Sequence, residues 1–516
     1  MQTEKEYIIG REINTLRCES TGEYSLPDYN GDVKKVLTVK TRAFPTGKFV
    51  GDDMLEFSGT VGYEVVYLDS ENNLTHAEFS TDYEAALRIN SDTYCGADIK
   101  TSVSGCNVRL VGPRKFSVKS TLDSDVRLSE RRVYSVGGDA FMEYEPETLT
   151  GTVRVFSSGF AEGEISEISE ELIAIDGAIA DEVEILTCDV IADVGAVYDG
   201  GDATTVKGSL GLSILYKNGE SLPQSVSKDI PYSAELTLDG FEDGDFLDAR
   251  VDVIAIKGVV TPTESGVSLA TELRVIPRLY AKKNLDIDLV TDAYVKERGS
   301  DNEYSDFGYT EYVCTEKCES LFSGEHHLTD GDFDKIDAII HSDAAVRVDS
   351  CEIADSVAKI SGEIRFSAIA CRVLENEEYN YSPIRFAQPF EQNVNINCQI
   401  CGNMHLNPTV KACNVKIEPT ENGVSVACTL SSEVSVFSDK RERSLIASYL
   451  TDEEFSKDES VFTVYYPDAS ESLFDIAKRF HTSVRSVAEM NRLSEAVFAS
   501  PESSVMAGGI KKLLIK

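Results

Sequence analysis

Basic residues are scarce in this 516-residue chain, which has 49 lysines and arginines against 89 aspartates and glutamates, a formal charge of −40. A surface this acidic repels phosphate backbones and anionic headgroups, so we expect no nucleic-acid partner and no charge-driven membrane binding. No run of 18 apolar residues occurs, so we expect no membrane-spanning helix. Residues 1–6 lack the basic and apolar regions of a secretory signal, which favours a cytoplasmic protein.

Catalytic motifs are also missing. The sequence contains neither the phosphate-binding pattern G-x-x-x-x-G-K-[ST] nor the G-x-S-x-G turn that presents a nucleophilic serine. Only six histidines occur, and the adjacent His326 and His327 would point to opposite faces of a strand. The acidic segment 330–334 begins like a calcium loop, but Lys335 stands where that loop needs glycine. We interpret it, like the acidic loop 239–248, as a solvated turn rather than a weak calcium site, and expect no enzyme and no cofactor.

Twelve cysteines without a secretion signal are typical of reduced thiols rather than of a disulfide framework. Two close pairs occur, Cys314/Cys318 and Cys398/Cys401, and the pairs lie far from each other in the sequence. A structural zinc site would need four thiolates within tetrahedral reach of one ion. The spacing favours buried structural thiols, so we expect no metal.

A threefold pattern runs through the first 455 residues. Gly59, Gly208 and Gly362 lie 149 and 154 residues apart, and each begins a segment with apolar residues two, four, six and eight positions later. A period of two places these residues on one buried face of a strand. They are Val61, Tyr63, Val65 and Tyr67, then Leu210, Leu212, Ile214 and Tyr216, then Ile364, Phe366, Ala368 and Ala370.

The same register extends to both sides of each glycine. An apolar pair lies 23 residues upstream, and an aromatic residue lies 24, 24 and 28 residues downstream. The pairs are Val36-Leu37, Ile185-Leu186 and Ile339-Ile340, and the aromatic residues are Tyr83, Tyr232 and Phe390. The pattern predicts a mainly β protein whose three tandem antiparallel β-sandwich-like repeats form an elongated rod. The predicted repeats span residues 1–135, 150–298 and 305–455.

The C-terminal segment, residues 461–516, forms a different module, because it carries a charge of +1 while the first 460 residues carry −41. Alternation at 461–465 and at 511–515 predicts two strands. Between them, an apolar face at Leu473, Ile476, Ala477 and Phe480 predicts one helix, and Ser483 is placed to cap a second. We expect Asp468 or Ser470 to cap the first helix, and the whole module to be a small βααβ domain.

Four short motifs mark this module: Ser-Leu-x-x-Ile-Ala-Lys-Arg-Phe at 472–480, Thr-Ser-Val at 482–484, Asn-x-Leu at 491–493 and Gly-x-x-x-Leu-Leu-Ile at 509–515. Together they resemble a LysM domain. The resemblance implies binding of N-acetylglucosamine polymers such as peptidoglycan, through the loops after the first strand and before the last. The candidate binding residues are Tyr466, Pro467, Asp468, Ser470, Phe474, Asn491, Arg492 and Leu493.

The module departs from the LysM pattern at two places. The usual Pro-Gly-Asp-Thr turn is replaced by Pro-Asp-Ala-Ser-Glu-Ser at 467–472, and Phe474 stands where many members carry tryptophan. A protein partner is therefore the alternative to a glycan. The basic residues that would meet an acidic protein, or that form only a solvated helix face, are Lys478, Arg479, Arg485 and Arg492.

Ser-Leu-Pro-Asp-Tyr at 25–29, followed by the segment 32–37 and the strand entered at Ser58-Gly59, resembles the SPOCS repeat of clostridial spore-coat proteins. Tandem SPOCS repeats that end in LysM are similar to a family of spore-morphogenesis proteins, whose LysM domain is implicated in binding the coat basement-layer ATPase. The resemblance implies a non-enzymatic adaptor on the mother-cell side of the forespore. The alternative is a cell-wall protein that binds peptidoglycan.

Overall fold

The computed structural model confirms that the protein is mainly β, with 78% of residues in strands and 5% in helices. All strand pairs between the named strands are antiparallel. The structure describes residues 3–28, 30–198, 203–242, 244–328, 336–375, 378–398, 403–456, 462–468, 471–493 and 511–516.

The first sandwich, residues 3–136, consists of two three-stranded sheets with the orders β1-β6-β5 and β2-β3-β4. Apolar side chains of the central strands β3 and β6 meet between the sheets, where Tyr63 and Phe116 are almost fully buried. Its strands are β1 (Thr3–Ser25), β2 (Val33–Gly51), β3 (Met54–Asp69), β4 (Leu74–Arg88), β5 (Tyr94–Gly112) and β6 (Lys115–Val136).

The second sandwich, residues 147–294, has the sheet β9-β10-β11 facing a sheet in which β13 pairs with β12 on one side and with β7 and β8 in succession on the other. This edge is interrupted between β7 and β8 because Pro277 of β13 has no N–H to continue the ladder. Its strands are β7 (Glu147–Glu162), β8 (Ser166–Asp176), β9 (Val183–Tyr198), β10 (Thr204–Asn218), β11 (Gln224–Leu236), β12 (Phe246–Pro262) and β13 (Gly266–Tyr294).

The third sandwich, residues 298–454, has the orders β14-β19-β18 and β15-β16-β17. A five-residue helix that the sequence patterns did not predict, α1 (Asp139–Glu143), joins the first two sandwiches. The strands of the third are β14 (Arg298–His327), β15 (Ala338–Ala354), β16 (Val357–Val373), β17 (Tyr379–Asn395), β18 (Met404–Thr420) and β19 (Gly423–Glu454).

Gly59, Gly208 and Gly362 occupy equivalent positions, each in the central strand of its three-stranded sheet. Directly opposite them lie the buried aromatic residues Tyr83, Tyr232 and Phe390. A Cβ atom at any of the three glycines would come within 2.1–2.3 Å of a backbone carbonyl oxygen on the neighbouring strand. Glycine is therefore required there by close approach of the strands.

The three sandwiches share an apolar core, which we call the apolar junction. The upstream apolar pairs supply it, since Leu37, Leu186 and Ile340 are all buried in this one cluster. The expected elongated rod is therefore wrong, because three sandwiches in a row cannot all meet at one point. The other fully or nearly buried members are Val66, Leu68, Leu74, Leu215, Ile369, Cys371 and Tyr381.

The sandwiches also meet at a second cluster, the ionic junction. Glu12 of β1 accepts hydrogen bonds from Tyr280 of β13 at 2.7 Å and from Asn407 of β18 at 2.6 Å. Lys282, with 1% of its side chain exposed, lies 3.9 Å from Glu12 and donates to Ser435 of β19 at 2.5 Å. One carboxylate thus contacts strands from all three sandwiches.

The C-terminal module contains, in order, β20 (Thr463–Tyr465), α2 (Leu473–Arg479), α3 (Val484–Met490) and β21 (Leu513–Ile515), with β20 antiparallel to β21. Ser483 caps α3 as predicted, by accepting the Ser486 N–H. The first helix is instead capped by Ser472, which forms a capping box with Asp475. In the described part of the chain, no helix has the length and apolar character needed to cross a membrane.

Candidate functional site

The two short strands of the module have one buried and one exposed side. Leu513 and Ile515 of β21 point inward and are almost fully buried. Outward, Val464 lies opposite Leu514 in the strand pairing. We call this outward side the exposed apolar face. It comprises Phe462, Val464, Tyr466 and Leu514, which are 58%, 50%, 71% and 42% exposed.

Four large apolar side chains on one side of a two-stranded sheet are a feature of interaction surfaces rather than of an isolated domain. Of the four, only Tyr466 was among the residues expected from the sequence. The signal that could have found Phe462 and Val464 is the alternation at 462–466, because every second residue points outward once Tyr465 points inward. Leu514 follows from its pairing with Val464, which the sequence alone does not specify.

The loop after β20 is held by Glu471. The Tyr465 hydroxyl donates to both Glu471 carboxylate oxygens at 2.8 Å, and the Asp468 N–H donates to one of them at 3.0 Å. These hydrogen bonds lower the pKa of Glu471, and the nearby Arg479 acts in the same direction. The predicted binding residues Tyr466 and Asp468 are exposed and Pro467 is half-buried, while Ser470 lies outside the described residues.

Phe474 is not on the surface, contrary to its expected role in contacting a partner. Its side chain is fully buried, and its ring packs edge-on against Tyr294 with centroids 5.1 Å apart. Tyr294 ends β13 in the second sandwich. Phe474 therefore joins the module to the body, because another part of the same chain covers the helix side on which it lies.

The Asn-x-Leu motif also has internal contacts. The Asn491 amide donates to the carbonyl oxygens of Val487 at 2.8 Å and Leu514 at 2.7 Å, and its oxygen accepts the Leu514 N–H. This side chain ties α3 to β21. Leu493 packs against the module core, and Arg492 is exposed with a φ of 52°. Among these three predicted residues, Arg492 is the one with an exposed side chain.

Three of the four basic residues that could meet an acidic partner have partners within the chain. Lys478 pairs with Asp292 of the second sandwich at 2.6 Å, Arg479 with Glu471 at 2.8 Å, and Arg485 with Glu489 at 2.8 Å. These three side chains are still 39%, 51% and 76% exposed, so an acidic partner would have to compete with the existing carboxylate partners. The exposed apolar face is the better candidate surface.

The module docks on the second sandwich although it follows the third in sequence. The Tyr294 hydroxyl donates to the Thr482 carbonyl at 2.6 Å, and burial, with Glu147 and Asp292 nearby, raises the pKa of Tyr294 far above its ordinary value. The ring of Phe455, which follows β19, stacks on His481 at 3.5 Å. These contacts orient the module so that the exposed apolar face belongs to a fixed part of the protein.

In the body, a cleft of about 540 Å³ lies where β1, β7 and β14 approach one another. Tyr7, Phe307 and Tyr309 supply aromatic walls, and Arg132 and His405 lie among the lining residues. Both side chains have carboxylate neighbours: Arg132 lies 3.1 Å from Glu130, and His405 lies 3.3 Å from Asp439. Glu12 of the ionic junction also lines this cleft.

Within the ionic junction, the Glu12 carboxylate faces two cations, Lys282 at 3.9 Å and Arg127 at 4.0 Å. Burial opposes ionisation of Glu12, but Lys282 and Arg127 outweigh it and lower its pKa. Burial lowers the pKa of Lys282 to about 8, against the attraction of Glu12. The aromatic rings of Phe246 and Tyr280 lie 5.0 and 5.2 Å from the Lys282 ammonium, which favours a held cation.

Metal-ligand geometry is not found in the described part of the chain, where no group of three His, Cys, Asp or Glu side chains is placed to hold an ion. Cys314 and Cys398 do come together, but Cys318 lies four residues along the same strand from Cys314, too far to share one ion with it. Cys401 and the acidic segment 330–334 lie outside the described residues, and the loop 239–248 is described except for residue 243.

Comparison with known proteins gives no further identification: no protein-family model matches this chain, and no match is found among curated proteins or among solved structures.

Proposed function

We propose that this chain is a non-enzymatic adaptor of the SPOCS–LysM type, whose C-terminal module binds a spore-coat basement-layer ATPase at the mother-cell face of the forespore. Three related SPOCS-like repeats, spanning 1–135, 150–298 and 305–455, would form its body. Support for the repeats comes from the equivalent positions of Gly59, Gly208 and Gly362 and from the shared two-sheet arrangement.

The observation that carries a binding role is the exposed apolar face. The module presents four apolar side chains to solvent: Phe462, Val464, Tyr466 and Leu514. A partner that covers them would stabilise the complex by roughly 25 cal/mol for each Å² of apolar surface removed from water. The same module commits three of its basic residues to internal pairs. Recognition would therefore depend mainly on apolar contact, with Lys516 close to the face, 5.3 Å from the Phe462 ring centre.

The test is binding of the purified full-length chain to the purified ATPase, measured by biolayer interferometry. Val464→Glu places a charge in the centre of the exposed apolar face, and we expect affinity to fall at least tenfold, because desolvating that carboxylate costs more than about 1.4 kcal/mol. The matched control is Ile191→Glu on β9 of the body, where an isoleucine is 59% exposed. Equal affinity of both variants and the parent chain would contradict a role for this face.

A cell-wall role gives the opposite pattern. Sedimentation with insoluble peptidoglycan at physiological salt should leave the chain in the supernatant. The outcome that favours peptidoglycan binding is strong retention in the pellet that Val464→Glu leaves unchanged and that Asp468→Ala abolishes. This outcome would rule out the adaptor role in favour of a peptidoglycan-binding protein.

A further inference from the structure

The third sandwich holds most of the thiols of the chain. Eight of the twelve cysteines lie between positions 314 and 428. Two of them, Cys314 on β14 and Cys398 after β17, are far apart in sequence, yet they lie against the same apolar core and close enough for Cys398 to act on the Cys314 thiol. Both pack against the core of the third sandwich and neither is fully buried.

Independent contacts place these two segments side by side. The Asn397 amide donates to Glu316 at 3.2 Å, and the Cys318 thiol lies 3.8 Å from the Asn393 carbonyl oxygen as a donor. Positions 314, 316 and 318 on one face of β14 thus face the segment 393–398. The path of the backbone therefore brings the segment with Cys314 next to the segment with Cys398.

We propose that Cys314 and Cys398 form a disulfide when the chain meets a small-molecule disulfide, and that this bond staples the two sheets of the third sandwich together. β14 belongs to the sheet β14-β19-β18, whereas the segment that carries Cys398 leaves the sheet β15-β16-β17. This inference is independent of the proposed adaptor function.

With oxidised glutathione as the oxidant, the exchange proceeds in two steps. The Cys398 thiolate attacks one glutathione sulfur, the glutathione S–S bond breaks, and one glutathione thiolate leaves. The Cys314 thiolate then attacks the Cys398 sulfur, the mixed disulfide breaks, and the second glutathione leaves. The two cysteines lose two electrons and two protons, which appear in two molecules of reduced glutathione.

The order of attack follows from the environment of Cys314. Burial, together with the charge and hydrogen bond of Cys398, raises the pKa of Cys314 to about 12, which makes it the poorer first nucleophile. Once Cys398 carries glutathione, it has no thiolate charge, and both of its effects on Cys314 disappear. Cys314 is then better able to complete the exchange.

A bond between Cys314 and Cys398 closes a long loop, so it restricts the unfolded chain much more than the folded one. The oxidised third sandwich should therefore unfold at a higher temperature than the reduced one. The two segments are already neighbours in the reduced fold, and the bond requires the two Cα atoms to come within about 7 Å of each other.

The experiment incubates the full-length chain with oxidised or reduced glutathione, blocks remaining thiols with iodoacetamide, and maps linked peptides by mass spectrometry. We expect a Cys314–Cys398 cross-link that is 2 Da lighter than the two thiol peptides, and a higher melting temperature for the oxidised chain. Cys314→Ser and Cys398→Ser should each remove both effects. The control Cys351→Ser changes another thiol of the same core and should retain them.

Three results would overturn the proposal. They are a link from Cys398 to another cysteine such as Cys318 or Cys401, glutathione adducts at Cys398 with no intramolecular link, and a cross-link that leaves the melting temperature unchanged. Two serine variants are included so that a folding defect in one does not decide the outcome.

Discussion

The two junctions of the body join the same three sandwiches by opposite means. The apolar junction brings Leu37, Leu186 and Ile340 together with other apolar side chains, whereas the ionic junction surrounds Glu12 with Lys282, Arg127 and amide or hydroxyl donors. Apolar contacts tolerate small shifts, but a buried carboxylate needs its partners at defined distances. We infer that the first junction supplies most of the attraction and that the second determines the relative orientation of the sandwiches.

The largest effect is expected from breaking the ionic junction on one side only. Glu12→Leu leaves the buried Lys282 without its carboxylate partner, while Arg127 keeps Asp98 at 3.7 Å, so the free energy of unfolding should fall by about 3–5 kcal/mol. The double variant Glu12→Leu/Lys282→Met removes one unpaired charge as well and should recover part of the loss. Unfolding in guanidinium chloride measures the free energy of unfolding of each variant. If the loss in the double variant equals the sum of the losses caused by the two single substitutions, the two side chains are not coupled.

A somewhat smaller effect is expected at the apolar junction. Leu186 is fully buried where the three sandwiches meet, and Leu186→Ala should lower the free energy of unfolding by about 3 kcal/mol through lost burial and a residual cavity. Ile191→Ala, on the same strand with its side chain 59% exposed, is the control and should change it by less than about 0.5 kcal/mol. A loss at Leu186 no larger than at Ile191 would contradict a three-way core.

The smallest effect is a pH dependence that separates the junctions. Lys282 has a pKa of about 8 in the folded protein, lower than its ordinary 10.5, so between these values the unfolded chain binds a proton that the folded chain does not. The free energy of unfolding should therefore rise by about 2 kcal/mol as pH increases from 8 towards 10.

Below pH 8 both states carry this proton and Lys282 contributes no slope. Burial also lowers the pKa of Lys100 to about 8, which adds a slope of the same sign, so the diagnostic quantity is the difference between the parent chain and Lys282→Met. Leu186→Ala should keep the parent slope. Equal slopes in the parent chain and Lys282→Met would refute the assignment.

The sequence was sufficient to predict the central strand of one sheet in each sandwich. The alternation after Gly59, Gly208 and Gly362, and the aromatic residues opposite them, follow from strand geometry, which repeats every two residues. The upstream pairs that contain Leu37 and Leu186 were visible as apolar positions. Their meeting point was not, because strand periodicity tells which face is buried but not which distant surface buries it.

The candidate site shows the same limit. Local periodicity identified the apolar face of α2, and Phe474 lies off that face, so its sequence position was consistent with an exposed binding residue. Tyr294, from a much earlier part of the chain, covers it in the structure. Conversely, alternation could place Phe462 and Val464 on one side of a strand. Only the structure shows that Leu514 joins them through the pairing with β21 and that all three remain at least 42% exposed.

The docking of the module on Tyr294 and Asp292 determines where mechanical load enters the protein. A ligand pulling on the module would transmit tension through these contacts to the end of β13, a 29-residue strand that pairs there with β7 and farther along with β12 and β8. The pull would thus be shared by the ladder of hydrogen bonds between β13 and β7, instead of acting only on the segment that follows β19.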